Sequence, residues 1–304
     1  MSSDPQSFSI PGFKLGHWTH PDGTTGCTVL LADELVPAAV EVRGGAPGTR
    51  ETALLGPGKT VRAADAIILT GGSAFGLGAA DGVMQWLSEQ GRGFPTAVMN
   101  VPIVPGAVIF DLAGDEPVWP LPKHGYTATD NASREFIGGG LGGGAGASVS
   151  KVLGRHLATP TGVGIASVKS PAGAVSAIFV NNAFGDVYDD RRGIFLTQPD
   201  GGSSTECILL SESREIEPGQ NTVIGTIVVD RRLDHDALAR ICISGHAGIA
   251  RTIRPAHTPA DGDTVFALAQ GQGNCTTAEL MQLSAAAQLA TSRALINSLG
   301  DLQK

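Results

Sequence analysis

Short apolar runs rich in valine and isoleucine recur along the chain, and they constrain its fold more than any other feature. Several runs are apolar at consecutive positions, so a strand built from them must be buried on both faces. The runs lie at residues 27–31, 38–42, 66–69, 107–110, 174–180, 223–229 and 264–269. This pattern predicts sheets that are covered on both sides.

Three segments show the spacing of apolar residues that is typical of helices. The first covers residues 75 to about 90 and carries one apolar stripe: Phe75, Ala79, Val83 and Leu87. The second is predicted to begin at an N-cap, Asp234 or Asp236, and to end near Gly248. The third is predicted to begin with a capping box formed by Thr276 and Glu279.

The predicted strands and helices mix without the strict alternation of βαβ units, which indicates a layered α/β fold. A sandwich of two sheets with helices on the outside ranks slightly above an open α/β sheet. No long linker, internal repeat or low-complexity tract divides the chain. A single domain over residues 1–304 is therefore predicted.

Charge and cysteine usage disfavour several functional classes. The 304 residues carry a formal net charge of −8, which argues against broad electrostatic binding to nucleic acid. The four cysteines form no CxxC pair, and none has a histidine at metal-ligand spacing. No stretch reaches the ~18 consecutive apolar residues of a membrane span, and the first residues lack a signal-peptide pattern. The expectation is a cytoplasmic enzyme without metal that does not bind membranes.

A polar, turn-prone stretch meets a buried apolar run at Asn221 and Thr222. A threonine hydroxyl is a poor nucleophile unless a base lies beside it. If the chain breaks before Thr222, the new α-amine supplies that base, because its pKa of about 7.7–8.0 is close to working pH. The same hydroxyl could first attack the Asn221 carbonyl and so open the chain. On its own, however, the dipeptide is more often a turn that leads into a strand.

Two acidic residues, Asp261 and Asp263, flank a glycine where the last apolar run begins. Residues i and i+2 of an extended backbone face the same way, so both carboxylates are predicted to point into one site. There they could orient an ammonium or a hydroxyl group. An Asp-Gly turn before a strand is the common alternative. A calcium loop would need further ligands at loop spacing, which the sequence lacks.

Lys151 and Asn182 are two further polar candidates. The glycine-rich stretch 138–146 leads to Ser-Lys-Val rather than to the Gly-Lys-Ser/Thr of a P-loop, which disfavours phosphate or dinucleotide binding. Lys151 is predicted either to line a site or to be a solvated lysine after a flexible loop. Asn182 ends an apolar strand, where its amide can stabilise a developing oxyanion or cap the strand end.

Gly72 and Ser73 lie where a predicted strand passes into a predicted helix. Free backbone N–H groups at such a junction can bind an oxyanion or a substrate anion. Ser73 itself lacks the GxSxG spacing of a strand–turn–helix nucleophile and is interpreted as a turn residue. The histidines offer no clear triad, so a Ser-His-Asp enzyme finds no support.

Taken together, these stretches resemble the DmpA-like aminopeptidases, a family of L-aminopeptidase/D-amidase enzymes, β-aminopeptidases and nylon-oligomer hydrolases. The likeness follows the chain in order at residues 45–52, 71–82, 101–112, 142–151, 182–186, 221–225 and 253–266. The resemblance implies an αββα sandwich that cleaves itself into chains 1–221 and 222–304, which stay together. It also implies a homo-oligomeric enzyme without a cofactor that hydrolyses small peptides or amides.

The resemblance also assigns the candidate residues. By position, they are the nucleophile Thr222, the orienting pair Asp261 and Asp263, and the Lys151 and Asn182 of the nylon-oligomer branch. Phe110 stands where that branch has a tyrosine, so any inference about substrate choice is weakened. Two alternatives to hydrolysis remain open: an acyltransferase of the ornithine acetyltransferase type and an uncleaved, inactive binding homologue.

Overall fold

A computed structural model describes residues 8, 10–213, 215–216, 220–271 and 275–300. Its strands and α-helices are, in chain order, β1 (Phe13–Thr19), β2 (Gly26–Val42), β3 (Thr49–Arg50), β4 (Ala63–Thr70), α1 (Ser73–Gly76), α2 (Ala79–Glu89), β5 (Phe94–Pro95), β6 (Asn100–Val101), β7 (Gly106–Val108), α3 (Pro122–Asp130), β8 (Ser148–Val149), β9 (Thr159–Pro160), β10 (Val163–Ser170), β11 (Gly173–Asn182), β12 (Asp186–Asp189), β13 (Ile194–Phe195), α4 (Thr205–Ser211), β14 (Thr222–Asp230), α5 (His235–Thr252), β15 (Ile253–Arg254), β16 (Thr264–Gln270) and α6 (Thr277–Asn297).

The long strand β2 belongs to two sheets. Its first part pairs with β1 and β4, and its last residues, 38–42, pair antiparallel with β16. A register irregularity between Leu31 and Val36 separates the two parts. One sheet therefore continues from β2 through β4, β7 and β3, and the other runs in the order β10, β11, β14, β16 and β2. The two apolar runs at 27–31 and 38–42 are one strand rather than the two that the sequence suggested.

The two sheets stack through a shared apolar core. Ile67 of β4, Ile165 of β10 and Phe266 of β16 are fully buried in the same cluster. The outer face of the second sheet packs against α5 and α6, and α2 and α3 cover the first sheet. These four layers form an αββα sandwich, as predicted, and the sheets are buried on both sides because helices cover each outer face.

Two helix predictions need correction. The segment predicted as one helix from residue 75 is divided into α1 and α2, and Phe75 is 62% exposed rather than part of the buried stripe. Gly248 does not end α5, which continues to Thr252. This glycine instead lets α6 approach closely, since a Cβ on Gly248 would lie 2.6 Å from the carbonyl oxygen of Gln288.

The two capping predictions are confirmed. The Asp234 side chain accepts a hydrogen bond from the N–H of Ala237 at 2.8 Å and so begins α5. Thr276 and Glu279 form the predicted capping box at the start of α6. Among the residues that the structure describes, no helix is both long and apolar enough to cross a membrane.

Candidate active site

The candidate site lies where β14 begins, between two neighbouring strands. Antiparallel pairing of β11 with β14 places Asn182 directly opposite Thr222. On the other side, β14 runs parallel to β16, and an isolated bridge pairs Asn221 with Asp261 just before both strands. Strand register therefore brings together residues that are forty positions apart in sequence, Asn182 with Thr222 and Asn221 with Asp261.

The peptide bond between Asn221 and Thr222 is buried, with Asn221 3% and Thr222 4% exposed. The Thr222 hydroxyl donates a hydrogen bond to the Asn221 carbonyl oxygen. The N–H of Gly262 donates to the same oxygen at 2.9 Å. A hydroxyl group therefore lies beside a carbonyl whose oxygen already has a backbone donor, and such a donor would stabilise the negative charge that attack on this carbonyl would develop.

Gly262 reaches this carbonyl because it has no side chain. A Cβ at this position would lie 2.6 Å from the carbonyl oxygen of Ala46 and 3.0 Å from Thr222 Oγ1. Either contact would push the backbone N–H away from Asn221. The glycine between the two aspartates is thus needed for a close backbone approach, a role that the sequence did not indicate.

Asp261 and Asp263 are each 1% exposed and are held by different donors. Asp261 accepts the N–H of Phe184 at 3.2 Å and the N–H of Thr258 at 3.0 Å. Asp263 accepts the N–H of Val223, the residue after the candidate nucleophile, at 2.7 Å. The structure therefore brings both predicted carboxylates to the start of β14.

Burial, and after it the nearby charge of Asp263, raise the pKa of Asp261 to about 6. A carboxyl group in this position is partly protonated in mildly acidic solution. Its charge is therefore sensitive to pH in a range where an ordinary aspartate stays ionised.

His257 is a member of the site that sequence reasoning did not assign. Its Nδ1 lies 2.7 Å from Asp263 Oδ2, and its backbone N–H donates to the same oxygen at 3.1 Å. Burial alone lowers the pKa of His257, but the hydrogen bond and the charge of Asp263 outweigh it, so the pKa lies above its ordinary value. In the sequence, the position of His257 six residues before Asp263 is the only feature that indicated this contact.

Lys151 points at Asn182 rather than into solvent. Its Nζ donates to Asn182 Oδ1 at 2.6 Å and to the Asn182 carbonyl oxygen at 2.9 Å. Burial lowers the pKa of Lys151 well below its usual value, and the charge of Arg155 lowers it further, whereas Asp261 and Asp111 act in the opposite direction. The alternative of a solvated surface lysine is therefore wrong.

Both the oxygen and the nitrogen of the Asn182 side-chain amide make hydrogen bonds within the protein. Its Oδ1 also accepts the N–H of Ser148 at 3.1 Å. Its Nδ2 donates to the carbonyl oxygens of Phe110 and Gln220 at 3.3 and 3.4 Å. Because Gln220 precedes the Asn221–Thr222 bond, movement of that segment would free one amide N–H beside Thr222.

A cavity of about 350 Å³ opens beside these groups, and we call it the polar cavity. Its lining residues are Phe110, Lys151, Val152, Gly154, Arg155, Phe184, Glu215, Ile216, Gln220 and Asn221. Two cationic side chains, one carboxylate and two side-chain amides meet there beside apolar side chains, the kind of mixed lining that small-molecule sites have.

Gly72 and Ser73 do not belong to this group. The N–H of Gly72 donates to Asp111 Oδ1 at 2.6 Å, and the N–H of Ser73 donates to the carbonyl oxygen of Ile109 at 2.9 Å. Neither residue lines the polar cavity. The expectation that their N–H groups are free for an oxyanion is corrected, because internal acceptors already take both hydrogens.

Comparison with known proteins places this arrangement in a family. The model of the family described as peptidase family S58 matches residues 8–302. The chain belongs to peptidase family S58. This membership confirms the family resemblance seen in the sequence and makes the chain a hydrolase of amide bonds.

Relatives in this family are similar over most of the chain. An uncharacterized aminopeptidase of Mycobacterium tuberculosis is 42% identical over 283 residues, which cover 86% of this chain and 80% of the relative. A 6-aminohexanoate-oligomer endohydrolase of a Kocuria species is 31% identical over 271 residues, covering 86% of this chain and 74% of the relative.

Two solved structures share the fold. A β-aminopeptidase of a Burkholderia species superposes with a TM-score of 0.71 at 19% identity, over 95% of this chain and 84% of the other. An L-aminopeptidase D-Ala-esterase/amidase of Ochrobactrum anthropi, described as a variant of the Ntn hydrolase fold, has a TM-score of 0.71 at 16% identity over the same shares. The αββα sandwich is thus an arrangement of Ntn-hydrolase type.

Proposed function

We propose that this S58 hydrolase processes itself between Asn221 and Thr222 and then uses Thr222 as an N-terminal nucleophile. The observation that carries the proposal is the environment of the Asn221 carbonyl: its oxygen accepts both the Thr222 hydroxyl and the Gly262 N–H. A buried threonine at the start of a central strand, with a lysine and two carboxylates nearby, suits a nucleophile better than a structural turn.

Self-cleavage begins with attack of Thr222 Oγ1 on the carbonyl carbon of Asn221. The hydroxyl proton passes to a neighbouring base, and Lys151 suits this role because its lowered pKa favours the neutral amine. The carbon–nitrogen bond breaks, the acyl group moves to oxygen, and the Thr222 nitrogen takes a proton to become an amine. Water then hydrolyses the ester and releases chains 1–221 and 222–304.

The mature enzyme repeats this chemistry on a separate amide. Thr222 Oγ1 attacks the substrate carbonyl, and the freed α-amine accepts its proton and passes it to the leaving amine. The Asn182 amide and the Gly262 N–H stabilise the oxyanion. Asp261 and Asp263 orient the hydroxyl and hold the ammonium that the α-amine becomes when it accepts this proton, and water then cleaves the acyl-enzyme.

The substrates that we propose are small peptides with a free amino end, amino-acid amides or oligoamides. Relatives named as an aminopeptidase and as a 6-aminohexanoate-oligomer endohydrolase support this class. The polar cavity, which holds both Glu215 and Arg155, can receive either a free ammonium or a carboxylate. A homo-oligomer of processed protomers is part of the same proposal.

Intact mass under denaturing conditions tests the proposal directly. Freshly purified protein should give two masses, those of residues 1–221 and 222–304, and should hydrolyse amino-acid p-nitroanilides. Addition of an isotopically labelled amine separates hydrolysis from acyl transfer, because a transferase would form the labelled amide. A single full-length mass together with turnover would exclude Thr222 as a processed N-terminus.

Hydrolysis should slow as the pH falls through about 6. Above that pH Asp261 is ionised and can hold an ammonium, and below it the carboxyl group protonates because burial and Asp263 raise its pKa to about 6. The measurement is kcat/KM between about pH 4 and 8. Asp261→Asn should lower the rate above about pH 6 and remove the step near that pH, while the separate loss caused by protonation of the α-amine at about pH 8 should remain. An unchanged step near pH 6 in the variant would assign that step to another group.

A further inference from the structure

A second cavity lies beside the polar cavity and shares Phe184 and Ile216 with it. Its volume is about 410 Å³, and its other walls are Leu209 of α4, Pro255 and residues 258–260. Among the described residues that line it, Thr258 has the one polar side chain, and its hydroxyl already donates to Asp261. We call this space the apolar cavity, because the described part of its wall offers hydrocarbon and no charged group.

Two residues that line the apolar cavity are hydrogen-bonded to Asp261, one of the candidate catalytic residues. Phe184 donates its N–H to Asp261 Oδ1, and Thr258 donates its N–H to Asp261 Oδ2. Asp261 in turn pairs with Asn221 across the isolated bridge. Hydrogen bonds from two backbone N–H groups to the Asp261 carboxylate, and the bridge from Asp261 to Asn221, thus connect the apolar cavity to the bond that Thr222 attacks.

In the uncleaved chain, the residues before the Asn221–Thr222 bond show which half of an amide lies beside the two cavities. Residues before the Asn221–Thr222 bond are the acyl half of that amide. Gln220 and Asn221 line the polar cavity, and Ile216 lines both cavities. The described residues nearest the bond in the acyl half of the chain's own amide therefore line the polar cavity, and one of them, Ile216, also presents an apolar side chain to the apolar cavity.

We propose that the apolar cavity is an acyl-side subsite that takes an aliphatic or aromatic group of the substrate's acyl half. The proposal rests on the proposed function, since it takes Thr222 as the nucleophile. The polar end of the same acyl group lies in the polar cavity. The favoured substrates are thus amides whose acyl part joins a polar end to an apolar body, rather than small or wholly polar acyl groups.

A series of p-nitroanilides with one leaving group tests this subsite. The acyl groups are glycyl, alanyl, leucyl and phenylalanyl, and only their apolar size changes. Each methylene that enters the cavity should raise kcat/KM about fourfold, the value expected for burial of one methylene. We therefore expect the leucyl substrate to exceed the glycyl substrate by at least about tenfold.

Two variants on the same helix supply the matched comparison. Leu209→Trp fills the apolar cavity, whereas Leu210→Trp adds the same bulk to a side chain that is 90% exposed and absent from the lining. Leu209→Trp should lower kcat/KM for the leucyl substrate at least tenfold more than for the glycyl substrate, and Leu210→Trp should keep the wild-type ratio. Ala260→Leu fills the cavity from the opposite wall and serves if Leu209→Trp does not fold.

An inhibition measurement gives a second readout on the processed enzyme. Hydrolysis of the glycyl p-nitroanilide by processed wild-type protein is measured with increasing hexanamide or acetamide, and the inhibition constants report binding. Hexanamide should bind at least tenfold more tightly than acetamide, and the Leu209→Trp variant should lose that difference. Equal binding of the two amides, or an unchanged difference in Leu209→Trp, overturns the subsite.

The outcomes separate the subsite from the proposed function. A wild-type enzyme that cleaves itself and hydrolyses all p-nitroanilides equally overturns the subsite alone. A Thr222→Ala protein that still hydrolyses them overturns the proposed function, even if hexanamide binds. If Leu209→Trp instead changes the concentration dependence of the native mass and leaves the leucyl-to-glycyl ratio intact, the apolar cavity is a contact between copies of the chain and the subsite is wrong.

Discussion

Thr222→Ala should leave the purified protein as one uncleaved chain of 304 residues. Without the hydroxyl, nothing attacks the Asn221 carbonyl, so the α-amine that serves as base never forms. Hydrolysis of amino-acid p-nitroanilides should fall by at least about 10³-fold, as expected when an essential nucleophile is removed. Intact mass and initial rates measure the two effects in the same preparation.

Two further threonine variants control this result. Thr222→Ser keeps a hydroxyl and should still give the two chains, although more slowly. Thr226→Ala changes a fully buried threonine of the same strand whose Oγ1 has no hydrogen-bond partner among the described residues. It should cleave and hydrolyse like the wild type. Cleaved Thr222→Ala protein would show that another group opens the chain.

Lys151→Met should slow self-cleavage by at least about 100-fold, the effect that removal of a general base typically has. The methionine keeps the length and the apolar stem of the side chain but removes the amine that contacts Asn182 Oδ1 at 2.6 Å. Intact mass against time after synthesis in a cell-free system measures the rate. The lowered pKa of Lys151 favours the neutral amine that a general base needs.

Lys151→Arg distinguishes a base from a simple positive charge. A guanidinium keeps the charge but does not lose its proton in proteins, so it should not restore cleavage. Lys169→Met, at an exposed position of β10, is the matched control and should cleave normally. Full cleavage in Lys151→Arg would show that Lys151 acts through charge alone.

Much of the fold could be predicted from sequence because it depends on local patterns. The apolar runs predicted β11, β14 and β16 closely, since a strand buried on both faces must be apolar at consecutive positions. The capping box at Thr276 and Glu279 located the start of α6 for an equally local reason. The two helix predictions that were corrected, at Phe75 and Gly248, concern what a helix packs against, which the helix's own sequence does not contain.

In the candidate site, too, the sequence predicts the local features and the tertiary packing decides the rest. The sequence by itself determined which reactive groups are present: a threonine after a turn, two carboxylates around a glycine, a lysine and an asparagine. Only the tertiary structure decided which of these groups meet and what their surroundings do to them. The pairing of Asn221 with Asp261 puts the Gly262 N–H on the candidate carbonyl, and burial changes the pKa values of Asp261 and Lys151. Strand register and desolvation are properties of the packed layers, so no single segment of the sequence encodes them.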